Sequence, residues 1–183
     1  MPFRAFISMD LEKFPSLVSF QNKIAVSDAK LKLVNLDQLH LTLKFLGDTR
    51  EELLPHIVNV MKESVHGIEP FKVRLIGTGA FPSKSYMRVI WVGLEDGGTI
   101  KQIARKLNQD LEKYGYDKEE REFSPHVTIA RVKSPKGKES LGAILSVHEK
   151  DVFGEQMINS IRLKKSVLSP KGPTYYTVEE VAL

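Results

Sequence analysis

A chain of 183 residues with 42% hydrophobic content can form one domain or two small coupled lobes around its own core, and is too short for a multi-domain machine. Its 27 Lys and Arg against 23 Asp and Glu leave a formal charge of +4, a mild excess that permits a phosphate-bearing partner without demanding one. The absence of cysteine excludes disulfide scaffolds, thiolate metal sites and cysteine nucleophiles, so any chemistry must come from His, carboxylate, Lys or hydroxyl groups.

At the N-terminus Asp10 and Glu12 appear before any apolar stretch of signal-peptide length, and no run in the chain nears the roughly 18 apolar residues of a membrane span. The expectation is a cytoplasmic protein with no membrane partner. Two-residue alternation and β-branched clusters predict strands over Phe3–Met9, Leu31–Val34, Leu39–Leu46, Phe71–Thr78, Met87–Leu94, His126–Val132, Met157–Leu168 and Tyr175–Val181. Helical spacing predicts helices over Leu11–Ala25, with Pro15 delaying the start, over Glu51–Val65 and Thr99–Tyr114, and a shorter one over Glu139–Val147. The second of these opens with Thr49 and two glutamates and stops at Gly67. Gly77-Thr78-Gly79 lacks the Gly-Lys-Ser/Thr ending of a phosphate loop and reads as a turn, while Val89 and Trp91 in an apolar strand read as core.

Sliding the sequence against itself by 86 residues brings six elements into coincidence. Phe3–Phe6 falls on Val89–Val92, the helix from Leu11 on the one near Thr99, and His40 on His126. The helix near Leu54–Val58 falls on Ser140–Ile144, Phe71–Thr78 on Met157–Lys164, and Met87–Leu94 on Pro173–Glu180. One shared offset, with no Gly/Ser or Pro-rich linker, predicts a single α+β domain over residues 1–183. Its two lobes are expected to be related by a pseudo-twofold axis, each with an antiparallel sheet and helices on the outer face, and to enclose a cleft.

Within that repeat stand His40-Leu41-Thr42-Leu43 and His126-Val127-Thr128-Ile129. With five His and seven Thr, chance would supply about 0.2 His-x-Thr coincidences. In a strand, residues i and i+2 share a face, so Leu41, Leu43, Val127 and Ile129 can enter the core while each His projects with its Thr. Two such pairs facing each other would give two imidazoles and two hydroxyls around something small. Imidazole titrates near neutrality, so one ring can take a proton from water while the other protonates a leaving oxygen, as in-line displacement at phosphorus requires. By the same strand parity Lys44 shares the face of His40. Arg131, five residues after His126, would point away in a regular strand unless a bulge or a strand end intervenes. Arg131, Lys133, Lys136 and Lys138 form the most one-sided charge run in the chain, a solvated loop or a binding patch beside His126, and the three lysines with Lys44 are candidate contacts for a phosphate-bearing partner. Phe81, Tyr86, Tyr114 and Tyr116 are aromatic candidates for stacking a base at the cleft mouth. His56, His66 and His148 have no motif around them and read as packing or surface residues. Zinc finds no second ligand on either motif face, because i+2 is Thr.

At these residues the chain resembles the two-histidine phosphoesterase superfamily, specifically the RNA 2′,3′-cyclic phosphodiesterases first described as 2′-5′ RNA ligases. The resemblance covers nearly the whole chain: Phe3-Arg4-Ala5-Phe6-Ile7, His40 through Gly47, Gly79 through Ser83, Val89 through Leu94, Pro125 through Arg131, and Ser169 through Tyr175. It implies a bilobal α+β fold, no metal and no cofactor, and hydrolysis of 2′,3′-cyclic phosphates to 2′-phosphates. RNA ends or small cyclic nucleotides would be the substrates, and the enzyme a monomer. It further implies His40 as the acid that protonates the departing 3′-oxygen, His126 as the base that activates water, and Thr42, Thr128 and Arg131 as holders of the phosphate oxygens. The residues themselves leave the two histidines interchangeable. The same groups can run the chemistry backwards as 2′-5′ RNA ligation without ATP. The alternative from another class is a non-catalytic RNA or nucleotide-binding module that uses the same cleft.

Overall fold

Alternating burial along the extended segments and 3.6-residue burial along the helices sort the chain into nine strands and four α-helices, described over residues 1–183 by a computed structural model. In chain order these are β1 (Phe3–Asp10), α1 (Pro15–Ala25), β2 (Leu31–Leu33), β3 (His40–Thr49), α2 (Leu54–Val65), β4 (Phe71–Pro82), β5 (Met87–Glu95), α3 (Thr99–Asp110), β6 (His126–Val132), α4 (Lys138–Val147), β7 (Val152–Ile158), β8 (Ser160–Ser169) and β9 (Gly172–Ala182). Pro15 sets the start of α1, because its fixed φ and missing N–H suit the first helical turn. No helix is long and apolar enough to cross a membrane.

The strands form two antiparallel sheets, one ordered β3-β1-β8-β9 and the other β2-β6-β5-β4-β7. The fold is α+β with two pseudo-symmetric sheets. In each, the histidine strand (β3 or β6) lies beside a central strand (β1 or β5), followed by β8 or β4. Five of the six coincidences at the 86-residue offset occupy matching places. The sixth does not: β9, which the offset lays on β5, is an outer edge strand, and the corresponding place beside β4 belongs to β7.

The helices exchange sides. α1 follows β1 of the first sheet yet packs on β7 and β2 of the second, beside α4, while α3 follows β5 of the second sheet and packs on β3 of the first, beside α2. Thirty-nine buried hydrophobic residues join in one cluster between helices and sheets, among them Leu17, Phe20 and Ile24 of α1 and Ile100, Ile103 and Leu107 of α3. The helices bury one face of each sheet, which leaves the other face free to carry polar chemistry.

Three local expectations are corrected. The segment Met157–Leu168 is two strands meeting at Asn159, and the first begins at Val152, where Gly154 and Glu155 interrupt the alternation that would reveal it. Thr49 lies in β3 with its hydroxyl donating to Gly47 O at 3.2 Å, and Arg50 precedes the 3₁₀ turn Glu51–Leu53 that leads into α2. Gly77-Thr78-Gly79 is no turn but the middle of β4: Gly77, at φ 76°, lies where the β4–β5 register shifts, and Gly79 leaves room for the Trp91 ring, which a Cβ there would meet at 2.2 Å. Ile103, fully buried in α3, anchors the exchanged helix, and Ile103→Ala is expected to cost about 2–5 kcal/mol in denaturant unfolding.

Candidate active site

The register of the histidine strands decides what reaches the open face of each sheet. Along β3 against β1, Asp10 pairs with His40 and Ser8 with Thr42, but the next pair is Ile7 with Lys44, so Leu43 is an extra residue. Along β6 against β5, Gly93 pairs with His126 and Trp91 with Thr128, but the next pair is Ile90 with Ala130, so Ile129 is the extra residue. Each tetrapeptide therefore ends in a β-bulge, which reverses the side-chain alternation after it. The carbonyl of Ile129 stays satisfied, accepting from Val34 N at 3.0 Å and from the amide of Gln21 at 3.1 Å.

The reversal has opposite consequences for two cations. Arg131 is exposed and turns to the face shared by His126 and Thr128, which resolves the parity objection raised by its spacing. Lys44 turns the other way, onto the helix face, where it is 2% exposed. Its ammonium donates to Asn108 Oδ1 at 2.8 Å and Asp117 O at 2.5 Å, so it is not accessible as an RNA contact. The equivalent of Arg131 in the first lobe is Phe45, 68% exposed.

Both imidazoles are held alike. His40 Nδ1 donates to Gln38 O at 2.8 Å and His126 Nδ1 donates to Ser124 O at 2.6 Å. A carbonyl can only accept, so Nδ1 carries the proton in each ring and Nε2 is left for chemistry. Each ring also closes a triangle of aromatics. His40 lies 5.0 Å from Phe6 and 4.9 Å from Tyr175, and His126 lies 4.8 Å from Phe81 and 6.1 Å from Trp91. The resulting burial pushes both histidines below their ordinary pKa of 6.5, against the opposing effect of the carbonyl bonds. At His40 the Lys164 ammonium lowers the pKa further and the Asp10 carboxylate raises it. Asp10, opposite His40 on β1, is ion-paired to both Arg162 and Lys164 of β8. Charges therefore flank the first histidine in addition to its aromatic neighbours, whereas no charged group shifts the second.

The strands β3 and β6 approach within 8 Å between Cα atoms. The Arg131 charge from the second sheet acts on the Tyr175 hydroxyl, whose pKa burial raises and Arg131 partly restores, and Tyr175 in turn lies against His40. Side chains of the two lobes are thus in electrical contact across the site. Ser8 Oγ and Trp91 Nε1, on the strand partners of Thr42 and Thr128, are buried without a protein partner, so hydrogen-bonding capacity is left over beside both threonines.

Among the remaining sequence candidates, Lys133, Lys136 and Lys138 are all exposed. Lys133 N donates to Lys30 O at 2.8 Å, continuing the ladder in which Lys32 pairs with Arg131, so Lys30 and Lys32 join this basic edge. Of the aromatics, Phe81 is at the site and 38% exposed, and Tyr86 is exposed beneath Arg88. Tyr114 stacks on His56, and Tyr116 is buried with its hydroxyl donating to Thr49 Oγ1 at 3.3 Å. Trp91, read as core, is half-buried beside His126. Asp10 and Lys164 have no site role in the sequence reading, and Phe6 and Tyr175 enter it only within the segments of the family resemblance; the pairing and order of the strands bring all four to His40. His148 bonds Asp151 at 2.5 Å, away from either motif. No group of three His, Asp or Glu side chains converges anywhere in the chain in a way that could hold a metal.

Residues 17–160 match the family described as the 2′-5′ RNA ligase superfamily. The RNA 2′,3′-cyclic phosphodiesterase of Methanothermobacter thermautotrophicus is 35% identical over 181 residues, 98% of each chain, and that of Methanocaldococcus jannaschii is 35% identical over 97% of this chain and 99% of its own. A crystal structure from Thermus thermophilus, that of TT0787, superposes with a TM-score of 0.78 at 32% identity, covering 98% of this chain and 97% of that one. Escherichia coli LigT complexed with 3′-AMP shares the fold, with a TM-score of 0.69 at 22% identity over 100% and 99% of the two chains. With a doubled His-x-Thr on paired sheets, near-complete coverage and a third of its residues identical to those relatives, the chain belongs to the 2′-5′ RNA ligase superfamily.

Proposed function

We propose that this protein is a cytoplasmic, monomeric phosphodiesterase that hydrolyses 2′,3′-cyclic phosphates at RNA ends, or in small cyclic nucleotides, to 2′-phosphates. The observation that carries this reading is the equivalent tethering of two imidazoles, each bonded through Nδ1 to a carbonyl two residues earlier and each with Nε2 free. The names of the curated relatives support the substrate class.

In the reaction, His126 Nε2 accepts a proton from water as the water oxygen attacks phosphorus. The bond to the 3′-oxygen breaks, and His40 donates its Nε2 proton to that oxygen, leaving a 3′-hydroxyl and a 2′-phosphate. The two histidines exchange protonation states and solvent resets them. Charge developing on the non-bridging oxygens is met by the hydroxyls of Thr42 and Thr128 and by the Arg131 guanidinium, which the bulge at Ile129 turns to this face. With the 5′-hydroxyl of another strand in place of water, the same groups would form a 2′-5′ linkage. Lys133, Lys136 and Lys138, with Lys32 beside Arg131, would carry the backbone of the strand that ends in the cleft.

His40→Ala and His126→Ala are each expected to lower kcat for a nucleoside 2′,3′-cyclic phosphate by about 10²- to 10⁴-fold with unchanged melting behaviour. Full activity in either variant overturns the assignment. Phosphorus NMR of the same mixture separates an enzyme from a binding module, because a module leaves the cyclic phosphate resonance in place. Catalysis needs one protonated and one neutral ring, and burial holds both pKa values below 6.5. The maximum of kcat/KM, which reports the free enzyme, is therefore expected below pH 6.5, with a decline from there towards pH 8 as the acid loses its proton. Arg131→Ala is expected to lower kcat/KM by about 10²-fold, and Arg131→Lys by less.

A further inference from the structure

Lys44 is buried on the helix face of β3, and it holds a segment that is not its own. Between α3 and β6 the chain has no regular structure from Asp117 to Pro125. Lys44 Nζ donates to Asp117 O at 2.5 Å and to Asn108 Oδ1 of α3 at 2.8 Å, with the Glu119 carboxylate at 3.8 Å. Asn108 takes hold of the same segment, accepting from Glu119 N at 2.9 Å and donating to Glu119 O at 2.8 Å. A desolvated ammonium gives strong, directional bonds to neutral oxygens, and together with the two bonds between Asn108 and the Glu119 backbone they fix the start of the segment against the first lobe. Its other end supplies Ser124 O, the acceptor for His126 Nδ1–H.

We propose that Lys44, with Asn108, is a positioning residue for His126. A lysine in the strand of the first motif orients the histidine of the second, through the Asp117–Ser124 segment. The bulge at Leu43 makes this possible by turning Lys44 away from His40, four residues earlier in the same strand. Proximity in sequence would link Lys44 to His40, and the structure links it to His126.

The kinetic part of this inference rests on the catalytic reading of His126, whereas the coupling between Lys44 and His126 does not. The test is therefore ring ¹⁵N NMR of both histidines, with kinetics alongside, in Lys44→Met and Asn108→Ala. Methionine keeps the buried stem without the donor, and the alanine variant removes the same node from α3 should Lys44→Met fail to fold. In each folded variant the His126 Nδ1 resonance is expected to move and its Nε2-protonated tautomer to grow, with His40 unchanged. On 2′,3′-cyclic nucleotide kcat is expected to fall about tenfold, by displacement of a positioned group, at nearly constant KM. Movement of the His40 resonances instead, or of neither ring, overturns the coupling. A His126 shift with kcat unaltered leaves the coupling standing and overturns the role of His126 in rate limitation, which His126→Ala checks independently.

Discussion

In each sheet the histidine strand carries an unpaired residue at the end of its tetrapeptide, Leu43 opposite β1 and Ile129 opposite β5, and the site depends on that extra residue. Strict alternation would put Lys44 into the cleft and Arg131 behind it. The bulge exchanges them, so a guanidinium able to grip two phosphate oxygens reaches the open face while an ammonium is taken into the packing between β3 and α3. The bulge costs little in unsatisfied backbone, because Val34 N and Gln21 complete the hydrogen bonding of Ile129 O.

The two imidazoles are poised by opposing effects of similar origin. Aromatic neighbours remove water from each ring and disfavour its cationic form, whereas the carbonyl on Nδ1 favours it. The balance keeps both rings able to gain and lose a proton, and the carbonyl settles which nitrogen does so. The sites differ in their surroundings: an ion-paired Asp10, Arg162 and Lys164 lie beside His40, and an indole lies beside His126. Near-symmetry of the backbone thus coexists with asymmetry of charge around the two rings.

Much of this is legible in the sequence because two signals are strong. Alternation reveals all the strands but β7, and the doubled His-x-Thr at a fixed offset marks both histidines and their threonines. What stays concealed depends on information that periodicity lacks. A bulge is a mismatch between two strands, invisible in either alone, so alternation assigns Lys44 to the wrong face and leaves Arg131 conditional. Trp91 in an apolar strand reads as core until its partner is known to be Thr128. Phe6 and Tyr175 reach His40 only because β1 and β9 are brought beside β3 and β8, a matter of topology.

The exchange of α1 and α3 between the sheets bears on how this molecule could be divided. A fragment ending between β4 and β5 would keep the first motif but lack α3, β8 and β9, and would carry α1 and β2 with part of the sheet they cover missing. Neither linear half is an autonomous module, even though the sequence reads as a duplication. The approach of β3 to β6 is accordingly set by interwoven backbone and belongs to the core, with no linker between the sheets to adjust it.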